Sequence, residues 1–469
     1  MGNEGQGAIL PTDDDDMEMH VKLATKLWRP LAAATALAVL ATACGGGDAE
    51  GDDDEGSGIE LADEGEFTIL HAFTEDADLN GLNALIDSFT EQYPDITVRQ
   101  EGSNDFESLA RTRVGAGNAP DVMLHPQPGL LEDFYNQGVV QPLDFLDVAE
   151  VDGNMVGGLS ELGTFDDTYY AQAMRLSLKS LVWYNPNTFE AGGYEIPETW
   201  DDLLALSDQM VADGVAPWCI GIESGDATGW VATDWVEDIL LRTIGPDAYD
   251  EWVAGDLDFA SDEVSGALED YLVPIWTNDD YVFGGRQQIA REGFGTSVAG
   301  ILGDDPECGL HRQATFIEGN IAEVAPDGVF GEDYDFFYLP GIEEEFGNPT
   351  MGGGDFAALY TDNGAAATFI EYLSTAESGE AWAALGGFLS PFAPTFDDSI
   401  YPSDSARRAS EILANADSFR FDGSDLMPGD VGSSSRSGSF WIEMTNWVTG
   451  QTELDEALAN IDELYATFE

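Results

Sequence analysis

At 469 residues the chain is too long for a single hydrophobic core and suits two or three domains. Hydrophobic and aromatic contents of 43% and 11% are those of a folded protein, but 91 acidic against 16 basic residues leave a formal charge of -75. A polyanion of this size is repelled by phosphate backbones and anionic lipid, which argues against nucleic-acid binding and electrostatic docking on a membrane. Such self-repulsion destabilises a compact fold in dilute salt, whereas at molar salt the Debye length falls to roughly 3 Å and screens it. The composition therefore points to a halophilic protein working in brine, with a merely acidic secreted protein as the alternative.

The first 66 residues stand apart from the rest. Residues 1–18 are polar and acidic and read as an upstream extension. From Met19 the pattern changes: Lys22, Lys26 and Arg29 make a basic head, and Leu31 to Ala43 an apolar run. That run is shorter than the roughly 20 residues a bilayer span requires, so it reads as an export signal. LATAC followed by GGG resembles a lipobox, in which Cys44 becomes the lipid-bearing first residue of the mature chain. A plain signal peptide with an incidental cysteine is the alternative. The expected division is 1–43 for extension and signal and 44–66 for an acidic, Gly-rich tether, with the mature chain anchored outside the cytoplasm.

Glu66 to Phe73 alternates as a first strand. Leu82, Leu85, Ile86, Phe89 and Tyr93 recur at helical spacing, Pro94 stops that helix, and ITVRQ (96–100) follows as a strand. This order opens an α/β domain. A helix over Phe106 to Val114, the strand DVMLH and a helix over 129–138 lead to AMRLSLKSLVWYNPNTFEAGG, residues 173–193. Its apolar strand carries two cations, Arg175 and Lys179, and breaks at Asn185-Pro186 into a helix start, where proline suits the first turn. Lys179 is the only lysine beyond residue 26, which suggests a position that requires a cation. This strand is taken as the crossing between two lobes, with a ligand held between them. Alternation places Arg175, Ser177 and Lys179 on one side, toward the cleft, with Met174, Leu176 and Leu178 on the other; Trp183 and Tyr184 are expected in the core.

Thr199 can cap a helix over 197–214 that Gly214 stops; APWCIGI follows as a strand and VATDWVEDILLRTIG as a helix. The later order is a helix around Gly285 to Gly293, the strand DYDFFYLPGI, a turn-rich GNPTMGGG, the strand DFAALY and the helix GAAATFIEYLSTAE. An aromatic loop, GGFLSPFAP, and helices to Glu469 complete the chain.

Read together, the lipobox, the GNAPDV turn into a strand, the crossing that ends in WYNPNTF, the PETWDDLLALSDQM helix and the GGGDFAALY strand resemble the extracytoplasmic solute-binding proteins of carbohydrate ABC importers, the maltose-type family. PWCIGIESGDATGWVATDWVEDILLRTIG, with CGLHRQATF, resembles the α-glucoside-binding branch more closely. The resemblance implies an α/β, two-lobed periplasmic-binding-protein-like fold with hinge crossings and a ligand cleft. It places lobe 1 over 67–176 with 340–392, and lobe 2 over 177–339 with 393–469. It further implies a monomer that captures an α-glucoside or related oligosaccharide and delivers it to ABC permease subunits, without enzymatic turnover or a cofactor.

Sugar clefts stack aromatic faces on C–H faces and pair hydroxyls with charged and amide groups. By position Phe73 and Glu75 resemble the family's ligand-contacting loop, with a plain turn as the alternative. His125 and Gln127, in HPQP, sit where the family reaches into the cleft, with a structural histidine as the alternative. Arg175 and Lys179 stand where many relatives carry tyrosine, threonine or aspartate, so they are expected to pair with cleft carboxylates. Trp230 is the stacking candidate, with Asp226 and Asp234 nearby and Trp235 in either cleft or core. Arg312 either clamps hydroxyls or pairs with an acid. Gly353, Gly354 and Asp355 resemble a strand-edge turn that lets sugar approach the backbone, and Phe388, Phe392 and Trp441 are rim candidates. Cys219 and Cys308 remain once Cys44 takes lipid, and an exported pair is expected to form a disulfide, two free thiols being the alternative.

Other chemistries find less support. DADLNGLNALID (76–87) sets Asp76, Asp78, Asn80, Gly81 and Asp87 at calcium-loop positions, but lacks the bidentate glutamate at position twelve; helix capping by Asp78 or Asn80 explains the same letters, and no metal is assigned. The four histidines are scattered, with no HExxH, no GK phosphate loop and no nucleophile elbow. A secreted glycoside hydrolase, which needs only two carboxylates across a cleft, is the alternative function, and a surface adhesin or sensor a third.

Overall fold

The computed structural model describes residues 58–156, 158–392, 401 and 403–468; the export signal, Cys44 and most of the tether lie outside them. Strands β1 (Glu64–His71), β2 (Asp95–Gly102) and β3 (Val122–His125) pair in parallel, with β1 between the other two. Helices Asp76–Gln92 and Phe106–Gly115 connect them. In the first of these helices Leu82, Leu85 and Phe89 are fully buried, the face that three- and four-residue spacing sets toward a core. The Asp76–Asp87 run is thus helix rather than a metal-binding loop, and among the described residues no group of three His, Cys, Asp or Glu side chains is arranged to hold a metal.

A two-stranded hairpin, β4 (Thr164–Phe165) and β5 (Thr168–Tyr169), leads into β6 (Ala171–Leu178), which is buried along its whole length. β7 (Leu181–Tyr184), β8 (Ala216–Trp218), β9 (Cys308–Arg312) and β10 (Asp335–Tyr338) make a separate four-stranded sheet in the order β10, β7, β9, β8. β11 (Pro349–Leu359) and β12 (Ser418–Phe421) return to the first sheet. β11 runs antiparallel to β6 along one edge; along the other it pairs in parallel with β12 and then antiparallel with β3.

The stretch expected to be one crossing strand is therefore two strands in two sheets, interrupted at Lys179 and Ser180. Two main cores form, and the first extends onto the second sheet through Leu181, Trp183, Cys308 and Phe336. The first gathers Phe67, Phe89, Leu124, Leu176 and Phe369, the other Trp218, Trp235, Trp252, Trp276 and Leu240. Trp183 and Tyr184 are both buried, and Trp235 lies fully inside the second core. Helices Phe440–Val448 and Leu454–Tyr465 also pack into that core, although β12 just before them belongs to the first sheet.

A second difference concerns GNPTMGGG. Pro349–Gly354 is not a turn but the first half of β11, flanked on both sides. Its glycines serve lateral closeness: a Cβ on Gly352 would stand 2.5 Å from the Phe419 ring, and one on Gly354 2.5 Å from the Arg175 carbonyl oxygen. Locally, the helix Trp200–Asp213 starts on a reciprocal cap between Thr199 and Asp202 and stops at left-handed Gly214, φ 85°. Cys219, just beyond β8, is disulfide-bonded to Cys308 at the start of β9, with Cα atoms 5.6 Å apart.

Candidate functional site

The backbone passes between the two sheets at Lys179–Ser180, between β10 and β11, and at Asp422 after β12. Ser180 fastens the first two passages together. Its hydroxyl accepts from the Met351 amide at 2.9 Å and donates to Asp238 Oδ1 at 2.6 Å, and its carbonyl accepts from the Leu339 amide at 3.0 Å. Against them lies helix Trp230–Thr243, whose residues Val231 to Arg242 are all buried, Asp234, Glu237, Asp238 and Arg242 included. Buried charges persist when they are paired and hydrogen-bonded. Lys179 Nζ lies 3.0 Å from Asp234 Oδ1 and is bonded to Asp422; Arg312 reaches Asp234 Oδ2 at 3.3 Å and Asp238; Arg242 reaches Asp238 Oδ1 at 2.6 Å. Burial works against the Lys179 ammonium, yet Asp234 and Asp422 raise its pKa well above the ordinary lysine value. Burial also opposes charge on Asp422, but Lys179 prevails and holds that carboxyl down at about 2.

A cavity of about 940 Å³, including its mouth, opens beside this junction, with walls from both sheets. From the larger lobe come the loop after β1 (Phe73, Glu75), the start of helix Phe106–Gly115 (Phe106, Glu107), Gln127 after β3, and Arg175 and Ser177 of β6. The other side supplies Trp230, Phe294, Asp425 and Trp441, Phe316 adds a ring that packs against the first core, and the crossings supply Lys179 and Asp422. The Trp230 ring is half-buried, edge-on to Phe294 at 5.1 Å, 5.9 Å from Phe316 and 5.3 Å from Lys179 Nζ. At the opposite end the Arg175 guanidinium lies against both the Phe73 ring, at 4.7 Å, and the Trp382 ring, at 4.8 Å, which meet edge-on, while its Nε donates to Asp355 at 2.7 Å and its Nη1 to Asp78 at 2.6 Å. Arg175 and Ser177 reach the cavity by alternation along β6, and Lys179, just past its end, reaches it too.

Eleven of the residues singled out in the sequence stand on this wall: Phe73, Glu75, Gln127, Arg175, Ser177, Lys179, Trp230, Gly353, Gly354, Asp355 and Trp441. The others stand elsewhere. His125 is fully buried in the larger lobe, where its Nε2 meets the Tyr360 hydroxyl at 2.7 Å, its ring lies edge-on to Phe106 at 5.4 Å, and burial lowers its pKa to about 3. Asp234 and Arg312 pair with each other and with Lys179 and Asp238 behind the wall, and both are fully buried. Asp226 accepts from Ser108 Oγ at 3.1 Å, a bridge between the lobes at the rim. Phe388 and Phe392 are buried, Phe388 against Trp382 at 5.7 Å. Conversely, Asp78, Glu107, Phe294, Phe316, Asp422 and Asp425 line the cavity without having been picked out as candidates. Phe294, between Gly293 and Gly295, carried the same local mark as Trp230, whereas Phe316 had none. The acids had none among 91 of their kind.

The model of the family described as "Bacterial extracellular solute-binding protein" matches residues 74–380, from just before helix Asp76–Gln92 through β11 and beyond. The chain belongs to the bacterial extracellular solute-binding proteins. Members of this family bind solutes outside the cytoplasm and do not transform them. Similar solute-binding proteins include the osmoprotective compounds-binding protein GgtB of Synechocystis sp., 42% identical over 76% of this chain and 82% of that one. The alpha-glucosides-binding periplasmic protein AglE of Rhizobium meliloti is 40% identical over 77% of this chain and 79% of its own. Among solved structures, the bacterial solute receptor AcbH superposes with a TM-score of 0.73 at 18% identity, covering 86% of this chain and 99% of that one. RafE in complex with raffinose gives a TM-score of 0.67 at 16% identity, over 86% and 99% of the two chains. These structural likenesses establish the two-lobed solute-binding fold.

Proposed function

We propose that the chain captures an α-glucoside, or a related uncharged osmoprotective glucoside, and delivers it to the permease subunits of an ABC importer. The observation that carries this reading is the cavity at the sheet crossing: aromatic rings from both lobes, Phe73 from one and Trp230 and Phe294 from the other, enclose a space edged by carboxyl and amide groups. Rings of this kind stack on sugar C–H faces and the polar groups take the hydroxyls. The names of the two relatives at 40% and 42% identity supply the substrate class. In this reading Cys44 bears lipid and tethers the chain to the outer face of the cell membrane, in a cell that lives in salt. The ligand stabilises a closed arrangement because only there does it touch both lobes, which hinge at the three crossings. Titration calorimetry with maltose, trehalose and sucrose in molar salt, with chromatography for hydrolysis products, tests it. Saturable binding at one site per chain without product supports capture; no binding by any of the three, or product in excess of protein, overturns it.

A further inference from the structure

Two features of the cavity wall are left over from that account. Its only cations among the described residues, Arg175 and Lys179, are each committed to two carboxylates: Arg175 to Asp78 and Asp355, Lys179 to Asp234 and Asp422. Against them the wall carries six carboxyl groups, those of Glu75, Asp78, Glu107, Asp355, Asp422 and Asp425. Secondly, two polar atoms of the lining residues are buried with no hydrogen-bond partner. One is Gln127 Oε1, an acceptor, from the loop after β3; the other is Trp441 Nε1, a donor, in helix Phe440–Val448. These side chains are only 4% and 2% exposed. An unpaired buried polar atom is costly, and on the cavity wall each is a group whose partner the protein does not supply.

We propose that the cleft selects its solute by charge as well as by shape. Glu107 with Gln127 from the larger lobe, and Asp425 with Trp441 from the smaller, form a subsite for the hydroxyls or an ammonium group of a glycoside, and solutes bearing a carboxylate or phosphate are rejected. The inference rests on the glucoside-capture reading and names the charge class of the solute. An anion entering the cavity finds no uncommitted cation and stands near surplus carboxyls, in a space where the low dielectric strengthens repulsion. Burial raises Glu107 to about 7, with Asp226 adding to the rise and Gln127 and Arg111 opposing it. Burial raises Asp425 well above its ordinary value too, helped by Asp422, Asp234 and Glu107 and opposed by Lys179. Protonated carboxyls donate to hydroxyl oxygens and ionised ones pair with a ligand ammonium; their ionised share repels an anion, which finds no uncommitted cation on the wall to offset it.

The test is calorimetric titration of the full chain with trehalose and maltose, each beside its C6-carboxylate and its 6-amino-6-deoxy counterpart, which are nearly isosteric. The carboxylates should bind about tenfold or more weakly than the parent sugars and the amines at least as tightly as the parents. Glu107→Gln combined with Asp425→Asn, close in shape to the native pair, should narrow the carboxylate penalty; if that variant does not fold, the wild-type series decides alone. Carboxylates within about threefold of the parents overturn the charge selection while leaving glucoside capture standing. Binding of the amines alone supports charge selection and overturns the uncharged-glucoside reading, and binding by none of the sugars overturns both.

Discussion

Replacing Lys179 with methionine keeps the bulk of the side-chain stem and removes its charge. The ammonium lies 3.0 Å from Asp234 and is bonded to Asp422, and the three side chains are 8%, 0% and 2% exposed, so solvent screens little of the interaction. The variant strands two carboxylates, but not completely. Asp234 retains Arg312 at 3.3 Å, and Asp422 retains the Ser424 hydroxyl at 2.8 Å and the Asp425 amide at 3.0 Å. Removing one partner of a buried ion pair costs about 3–5 kcal/mol, and these surviving partners put the expected loss near the lower end, about 3 kcal/mol. The pH dependence has a definite sign. Lys179 is raised, so its contribution is complete below the ordinary lysine value and is lost only as pH climbs through the raised one. Asp422 is held at about 2, so its contribution is present above the ordinary aspartate value and is lost as pH falls toward about 2. Both contributions are present at neutrality. Burial already raises Asp234 to about 7, and losing Lys179 raises both stranded acids, so the deficit of Lys179→Met is greatest at neutrality and above and shrinks as pH falls from about 7 and these acids take up protons. Denaturant unfolding of both proteins in molar salt, from neutral to acid pH, reads it. A deficit under about 1 kcal/mol at neutrality, or one that does not shrink in acid, refutes the reasoning.

Trp230→Ala should weaken sugar binding about thirtyfold, equivalent to about 2 kcal/mol, with little change in the folding midpoint because the ring is only half-buried; unaltered affinity in calorimetry removes it from the site. Cys219→Ser with Cys308→Ser opens a link between residues 89 apart in sequence, for which loop-closure entropy gives a loss of about 4–5 kcal/mol. A melting temperature unchanged by the substitutions contradicts a stabilising bridge. His125 is lowered to about 3 and His311 to about 4, both mainly by burial, so the unfolded chain takes up protons near pH 6.5 that the folded chain cannot. Stability should fall as pH drops from about 6.5 toward about 4, and His125→Gln should flatten that limb; an identical limb in the variant assigns the loss to other groups.

The geometry also separates two kinds of polar residue that look alike in the sequence. Arg175 and Lys179 stand on the cavity wall with their charges paired to carboxylates. Gln127 and Trp441 line the same cavity but carry buried polar atoms, Oε1 and Nε1, that no protein group satisfies.

Much of the fold was legible before any coordinates. The periodicity of β1, the Phe89 helix and the Trp200 helix, with its Thr199 cap and Gly214 stop, depends on residues within a turn or two of one another. The place of the crossing was legible as well, because a lone lysine in an apolar strand needs a reason. Only the tertiary structure decided that this stretch divides between two sheets, that GGG is strand rather than turn, and that Asp234 and Arg312 face inward while Glu107 and Asp425 line the cavity. Lys179 meets Asp422 across 243 residues and Asp234 across 55. Local spacing dictates which face of an element is apolar, but which of 91 carboxyls a buried cation receives depends on how two separately packed cores come to rest against each other.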